Sequence, residues 1–103
     1  MTDESYELSG QRFDWDREKN LSNIRKHGIS FKEASTVFSD NYAVLLIDDD
    51  HSQDEERFII IGISGNLRLL MVCHCYRDDD NIIRVISARK ATTEEEGLYG
   101  GAK

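Results

Sequence analysis

The sequence predicts an α+β domain in the order β-α-α-β-β-β-β-α, an antiparallel meander sheet with helices packed on one face. Three observations carry that expectation. Residues 17–38 place apolar side chains at helical spacing around one glycine-serine break. Residues 42–89 change to the alternating period of strands, interrupted at short polar turns. No linker, repeat or low-complexity tract divides the 103 residues, so a single domain with a modest core is expected.

Residues 1–11 are polar and mostly acidic, and read as a flexible leader. Arg12-Phe13-Asp14-Trp15 alternates as a short strand, with Asp14 or Asp16 capping the helix that follows over 17–27. Leu21 and Ile24 form the inward stripe of that helix, with His27 near the same face. Gly28 can adopt the left-handed conformation that closes a helix, and Arg25, Lys26 and His27 suit its C-terminal dipole. Ser30 and Glu33 have capping-box spacing, and Ile29 and Ala34 occupy staple positions around the cap. A second helix therefore restarts over 31–39, with Phe31, Ala34, Val37 and Phe38 inward.

Strands follow over 42–47, 57–64, 67–76 and 82–89, joined by Asp48-Asp49-Asp50, Gly65-Asn66 and Asp78-Asp79-Asp80-Asn81 turns. Loops this short pair neighbours as antiparallel hairpins. On the third of these strands Leu67, Leu69, Met71, Cys73 and Cys75 share an apolar face and read as core, leaving His74 and Tyr76 on the other. Thr92 or Thr93 caps a last helix over 94–99, shortened by Gly97 and Gly100-Gly101. The domain spans 12–99, and 100–103 form a frayed tail.

The net charge of −7 argues against nucleic acid at first sight. Twelve of the twenty acids, however, sit in three clusters at 48–56, 78–80 and 94–96, and outside them thirteen basic residues face eight acids. A local basic surface remains open to the fold. No apolar run reaches membrane-spanning length and Met1-Thr2-Asp3-Glu4-Ser5 lacks signal-peptide regions, which predicts a cytoplasmic protein with no membrane partner. Cys73 and Cys75, two apart on a strand, have poor disulfide geometry and read as reduced, buried thiols.

Several residues could carry chemistry. Lys26 and His27 stand at the rigid corner, His74 on a strand, and Glu56 beside Arg57 at a strand start. Strict alternation puts Arg84 and Arg89 on opposite faces unless a bulge intervenes. His27, His51 and His74 with Cys73, Cys75 and Asp48-Asp49-Asp50 offer ligand types without zinc-finger spacing, and 48–52 lacks the glycine and glutamate of a calcium loop. No metal site or cofactor is expected. Phosphate-loop, nucleophile-elbow and dinucleotide motifs are missing from the sequence, which removes those enzyme classes.

Phe13-Asp14-Trp15-Asp16 is followed by Asn23, Arg25-Lys26-His27-Gly28, Phe31, Ala34 and Phe38. Then come Asp50-His51-Ser52, Glu55-Glu56-Arg57, Gly62, and Arg84-Val85-Ile86-Ser87-Ala88-Arg89-Lys90-Ala91 with Glu96 and Tyr99. In this order, over about residues 13–99, the chain resembles the BrnT family, toxins of bacterial type II toxin–antitoxin pairs. The resemblance implies a fold similar to RelE-type ribonucleases, endoribonuclease cleavage of RNA without a metal, and growth arrest. It also implies neutralisation by a BrnA-type ribbon-helix-helix antitoxin, in a complex of two toxins with an antitoxin dimer that alone contacts operator DNA.

Metal-free RNA cleavage needs a base for the 2′-hydroxyl, a cationic clamp for the phosphorane, and an acid for the leaving oxygen. On this chain Lys26 and Arg57, with Arg84 or Arg89, would form the clamp. His27 or His74 would transfer protons, with Glu56 as a second candidate base. The rival expectations are a non-catalytic module that only binds its antitoxin and regulates the operon, and a small metal-binding protein.

Overall fold

The computed structural model describes residues 2–51 and 55–100. The chain runs through β1 (Asp3–Leu8), β2 (Gln11–Asp16), α1 (Arg17–His27) and α2 (Phe31–Thr36), which continues as one 3-10 turn over Val37–Ser39. It proceeds through β3 (Val44–Ile47), a 3-10 turn over Asp49–His51, β4 (Phe58–Ile63), β5 (Leu69–Arg77), β6 (Ile82–Lys90) and α3 (Thr93–Glu96). Residues 101–103 of the expected tail lie outside the described residues, as does Ser52.

The class is α+β, but the sheet is mixed rather than an antiparallel meander. Its order is β1-β2-β6-β5-β4-β3, with β2 parallel to β6 through Arg12↔Ile82, Phe13↔Ile83 and Asp14↔Arg84. Short loops settle the hairpins β4-β5-β6 because they leave no other neighbour in reach. A pairing between the two ends of the domain leaves no mark in any loop.

The expected leader is also corrected, since residues 3–8 are a strand. β1 pairs with β2 from Asp3↔Asp16 to Leu8↔Gln11. Ser9 and Gly10 between them both have positive φ, 52° and 83°. That is the two-residue turn whose twist matches an antiparallel pair. Tyr6 packs on Trp15 with ring centroids 6.2 Å apart, and the Trp15 indole donates to Glu4 at 2.8 Å.

The helices form largely where local chemistry directs. Asp16 caps α1 by accepting from the Glu18 amide at 3.0 Å, and Gly28 closes it at φ 70°. Ser30 accepts from the Glu33 amide at 3.0 Å. The reciprocal half of that box does not form, because the Glu33 carboxylate accepts from Arg68 and Ser64 in the β4–β5 turn. The complete capping box is at Thr92 and Glu95.

The core lies between α1, α2 and one face of the sheet, and it holds Phe13, Trp15, Ile29, Phe31, Ala34, Val37, Ile60, Leu70, Val72, Ile83, Val85 and Ala88. One expectation holds in part and another is reversed: Met71, Cys73 and Cys75 are buried as expected, but theirs is not the face that the helices cover. On β5 the helix-covered face is Leu70, Val72, His74 and Tyr76, while Leu67 lies outside the strand, exposed, at φ 63°. Both faces of β5 are buried, so apolarity alone could not tell the helix side from the other. On α1, Leu21 and Ile24 are exposed and the buried residue is Asn23.

Candidate active site

Asn23 sets the position of the whole α1 C-terminus. Its amide nitrogen donates to the carbonyls of Ile29 and Ala88, both at 2.8 Å, and its oxygen accepts from the Ala88 amide at 3.2 Å. The β2 pairing to β6 ends at Arg84. Beyond it the side chain of Asn23 bonds Ala88 as a neighbouring strand would. The corner after α1 is held by the same residue, and the Phe31 amide donates to Asn20 at 2.8 Å.

A groove of about 250 Å³ opens between α1 and β6, lined by Lys19, Ser22, Asn23, Lys26, His27, Ile86 and Ser87. Lys19, Ser22 and Lys26 recur at i, i+3 and i+7, which puts them on one face of α1. Lys26 and His27 are exposed, so the imidazole can reach a bound ligand. Four basic residues against one acid make α1 the local cationic surface of an acidic chain.

The floor of the groove is a β-bulge. Cys73 pairs with Ser87 and His74 with Val85, so Ile86 is an extra residue on β6. The bulge flips the strand's alternation, and Arg84 and Arg89 fall on the same face, opposite Cys75 and Met71. Neither is uncommitted. Arg84 donates to both oxygens of Asp3 and to Asp14, each at 3.1 Å. Arg89 donates to both oxygens of Glu95 at 2.9 Å. These bonds hold the carboxyls of Asp3 and Glu95 below the usual range and raise both guanidinium pKa values.

The other candidates stand elsewhere. His74 is fully buried, edge-on to Phe38 and Tyr76 and stacked near Phe58 at 4.8, 5.4 and 6.0 Å between centroids. Its Nδ1 lies 3.3 Å from the Val72 carbonyl, and Nε2 has no partner. Burial pulls its pKa down to about 4. Glu56 is exposed at the head of β4, lining with Glu55, Phe58, Tyr76 and Asp80 a separate pocket of about 330 Å³. Arg57 beside it is half-buried, close enough to Cys73 to influence its charge. Cys73 and Cys75 are free thiols, and burial pushes both pKa values up.

The structure thus brings Lys26 and His27 to the stretch of β6 that Arg84 and Arg89 bracket, and leaves Glu56, Arg57 and His74 outside the groove. Lys19, Ser22 and Ser87 were not singled out by sequence. The i, i+3, i+7 spacing of the first two with Lys26 was the available signal.

Among the described residues no helix is long and apolar enough to cross a membrane, and no group of three or more His, Cys, Asp or Glu could hold a metal ion. A comparison with curated proteins finds no match. Among solved structures the fold is similar to the Brucella abortus ribonuclease toxin BrnT, with TM-score 0.58 and 25% identity over 77% of this chain and 94% of that one. The profile of the family described as "Ribonuclease toxin, BrnT, of type II toxin-antitoxin system" matches residues 15–95. The chain belongs to the BrnT family of type II toxin–antitoxin ribonuclease toxins.

Proposed function

We propose that the protein is a metal-independent endoribonuclease whose reaction takes place in the groove between α1 and β6. The observation that carries this reading is the convergence of Lys19, Lys26 and His27 with the Ser22 and Ser87 side chains over the Ile86 bulge. Exposed His27 takes the proton of the 2′-hydroxyl or gives one to the leaving 5′-oxygen, and solvent water carries the other proton transfer. Lys26 and Lys19 neutralise the phosphate, and charge building on the phosphorane favours them further. Arg84 or Arg89 completes the clamp by passing from its carboxylate partner to the phosphate. This division of labour is one a RelE-type ribonuclease fold can support.

In the cytoplasm such an activity arrests growth. A BrnA-type ribbon-helix-helix antitoxin would neutralise it, two toxins binding one antitoxin dimer that alone touches operator DNA. The carboxylate pairing of Arg84 and Arg89 favours a second reading, a non-catalytic module that binds antitoxin and cleaves nothing.

The deciding experiment combines Lys26→Ala with His27→Ala. Cleavage of RNA by the purified protein should fall by at least about 100-fold, with growth arrest lost, and cleavage by the parent should survive EDTA. Undiminished cleavage by the double variant would remove the groove from the mechanism. A parent protein that binds antitoxin but cleaves no RNA would favour the binding module.

A further inference from the structure

The two edges of the sheet are treated differently. β1 protects its edge with Asp3, Glu4 and Glu7. β3, the other edge, is Val44-Leu45-Leu46-Ile47, without a charge. Tyr42 before it is 71% exposed, Leu45 53% and Ile47 55%. Among the described residues the backbone is open there too. The Asp48 amide donates to the Arg57 carbonyl at 2.9 Å, and β3 pairs antiparallel with β4 from Val44↔Ile61 to Ile47↔Phe58. An antiparallel ladder alternates, so Leu46 and Val44 turn their polar groups toward β4. Leu45 and Ile47 turn theirs outward.

Acid lies at one end of this edge. Asp49 and Asp50 are exposed just after Ile47. Phe58, the cross-strand partner of Ile47, lines a pocket with Tyr76, Glu55, Glu56 and Asp80, in which Glu55 already accepts from Arg77 at 3.3 Å. Aromatic walls with carboxylates at the mouth suit an ammonium or guanidinium group.

We propose that β3 is the docking edge for the antitoxin, which adds an extended segment as a seventh strand. This rests on the family reading that an antitoxin partner exists. The segment alternates aliphatic residues against Leu45 and Ile47, and carries Lys or Arg at the end beside Asp49, Asp50 and the Phe58–Tyr76 pocket. Main-chain bonds to Leu45 and Ile47 supply adhesion, and the acidic end sets the direction of the strand. Charge selects this occupant over a second copy of the chain, because two copies each carry −7 and Arg77 at the acidic end is already held by Glu55 of its own chain.

The test is amide hydrogen exchange on the full-length protein, free and with its co-expressed antitoxin, alongside affinity measurements on Leu45→Pro and Ile47→Lys. Leu45→Pro deletes an outward N–H and leaves the β3–β4 ladder intact, and circular dichroism checks the fold of both variants. The expected result is exchange at Leu45 and Ile47 in the free protein, protection in the complex, and at least tenfold weaker binding by both variants. Binding at full affinity with those amides unprotected would overturn the docking edge while leaving the partnership intact. No binding by the parent would overturn the partnership itself. Concentration-dependent protection in the free protein would identify a second copy as the occupant and overturn the proposal.

Discussion

His74 lies between the rings of Phe38, Phe58 and Tyr76, with one nitrogen near the Val72 carbonyl and the other unpartnered. Charging it there would strand a cation in an apolar box, so its pKa falls from 6.5 to about 4. The unfolded chain takes up that proton first as pH drops. Stability is therefore full above pH 6.5 and should decline by about 1.4 kcal/mol per pH unit until about 4. Urea unfolding at pH 7.5, 5.5 and 4.5 should show this slope, and His74→Leu should lose it. Asn23 is the converse case, a polar residue buried because it is fully bonded. Asn23→Ala orphans the Ala88 amide and two carbonyls, and should cost about 3 kcal/mol in denaturant unfolding. Neither role is readable from residue type, since histidine and asparagine serve equally in solvent and in core.

At the scale of elements, the corner between α1 and α2 was the most legible part of the chain. Gly28 at φ 70° ends one helix, and Ser30 caps the next. No atom stands where a Cβ on Gly28 would lie, so Gly28→Ala should cost only the backbone strain, about 1 to 2 kcal/mol, read as a fall in Tm of several degrees. β1 was missed although its signal was present: Tyr6 and Leu8 alternate with charge before a Ser9-Gly10 turn. Strand β1 also supplies Asp3, which occupies Arg84. The β6 bulge left no signal, because an extra Ile86 in an aliphatic strand looks like every other isoleucine in the sheet.

Over the whole molecule, an acidic protein gathers four of its thirteen lysines and arginines on one helix, and this distribution governs how RNA would bind. Contacts by Lys19 and Lys26 predict steep salt dependence, with log affinity falling by roughly 0.7 per phosphate contact per log unit of salt on single strands. Replacing either lysine should flatten the slope by about that amount in a filter-binding titration, whereas replacing Asp49 or Asp50 should not. The total charge of −7 misleads because twelve of the twenty acids are gathered in three short clusters, one of them at the start of α3.

What the sequence by itself determined were the local elements: helix starts, the glycine stop, the hairpin turns, and the motifs that resemble BrnT. All of these depend on residues within a few positions of one another, where propensity and capping act. Tertiary structure alone decided that β2 joins β6, which face of β5 meets the helices, that a bulge puts Arg84 and Arg89 on one side, and that Lys26 and His27 open onto Ser87. Those facts rest on pairings between distant strands, and one residue of register reverses every side chain that follows.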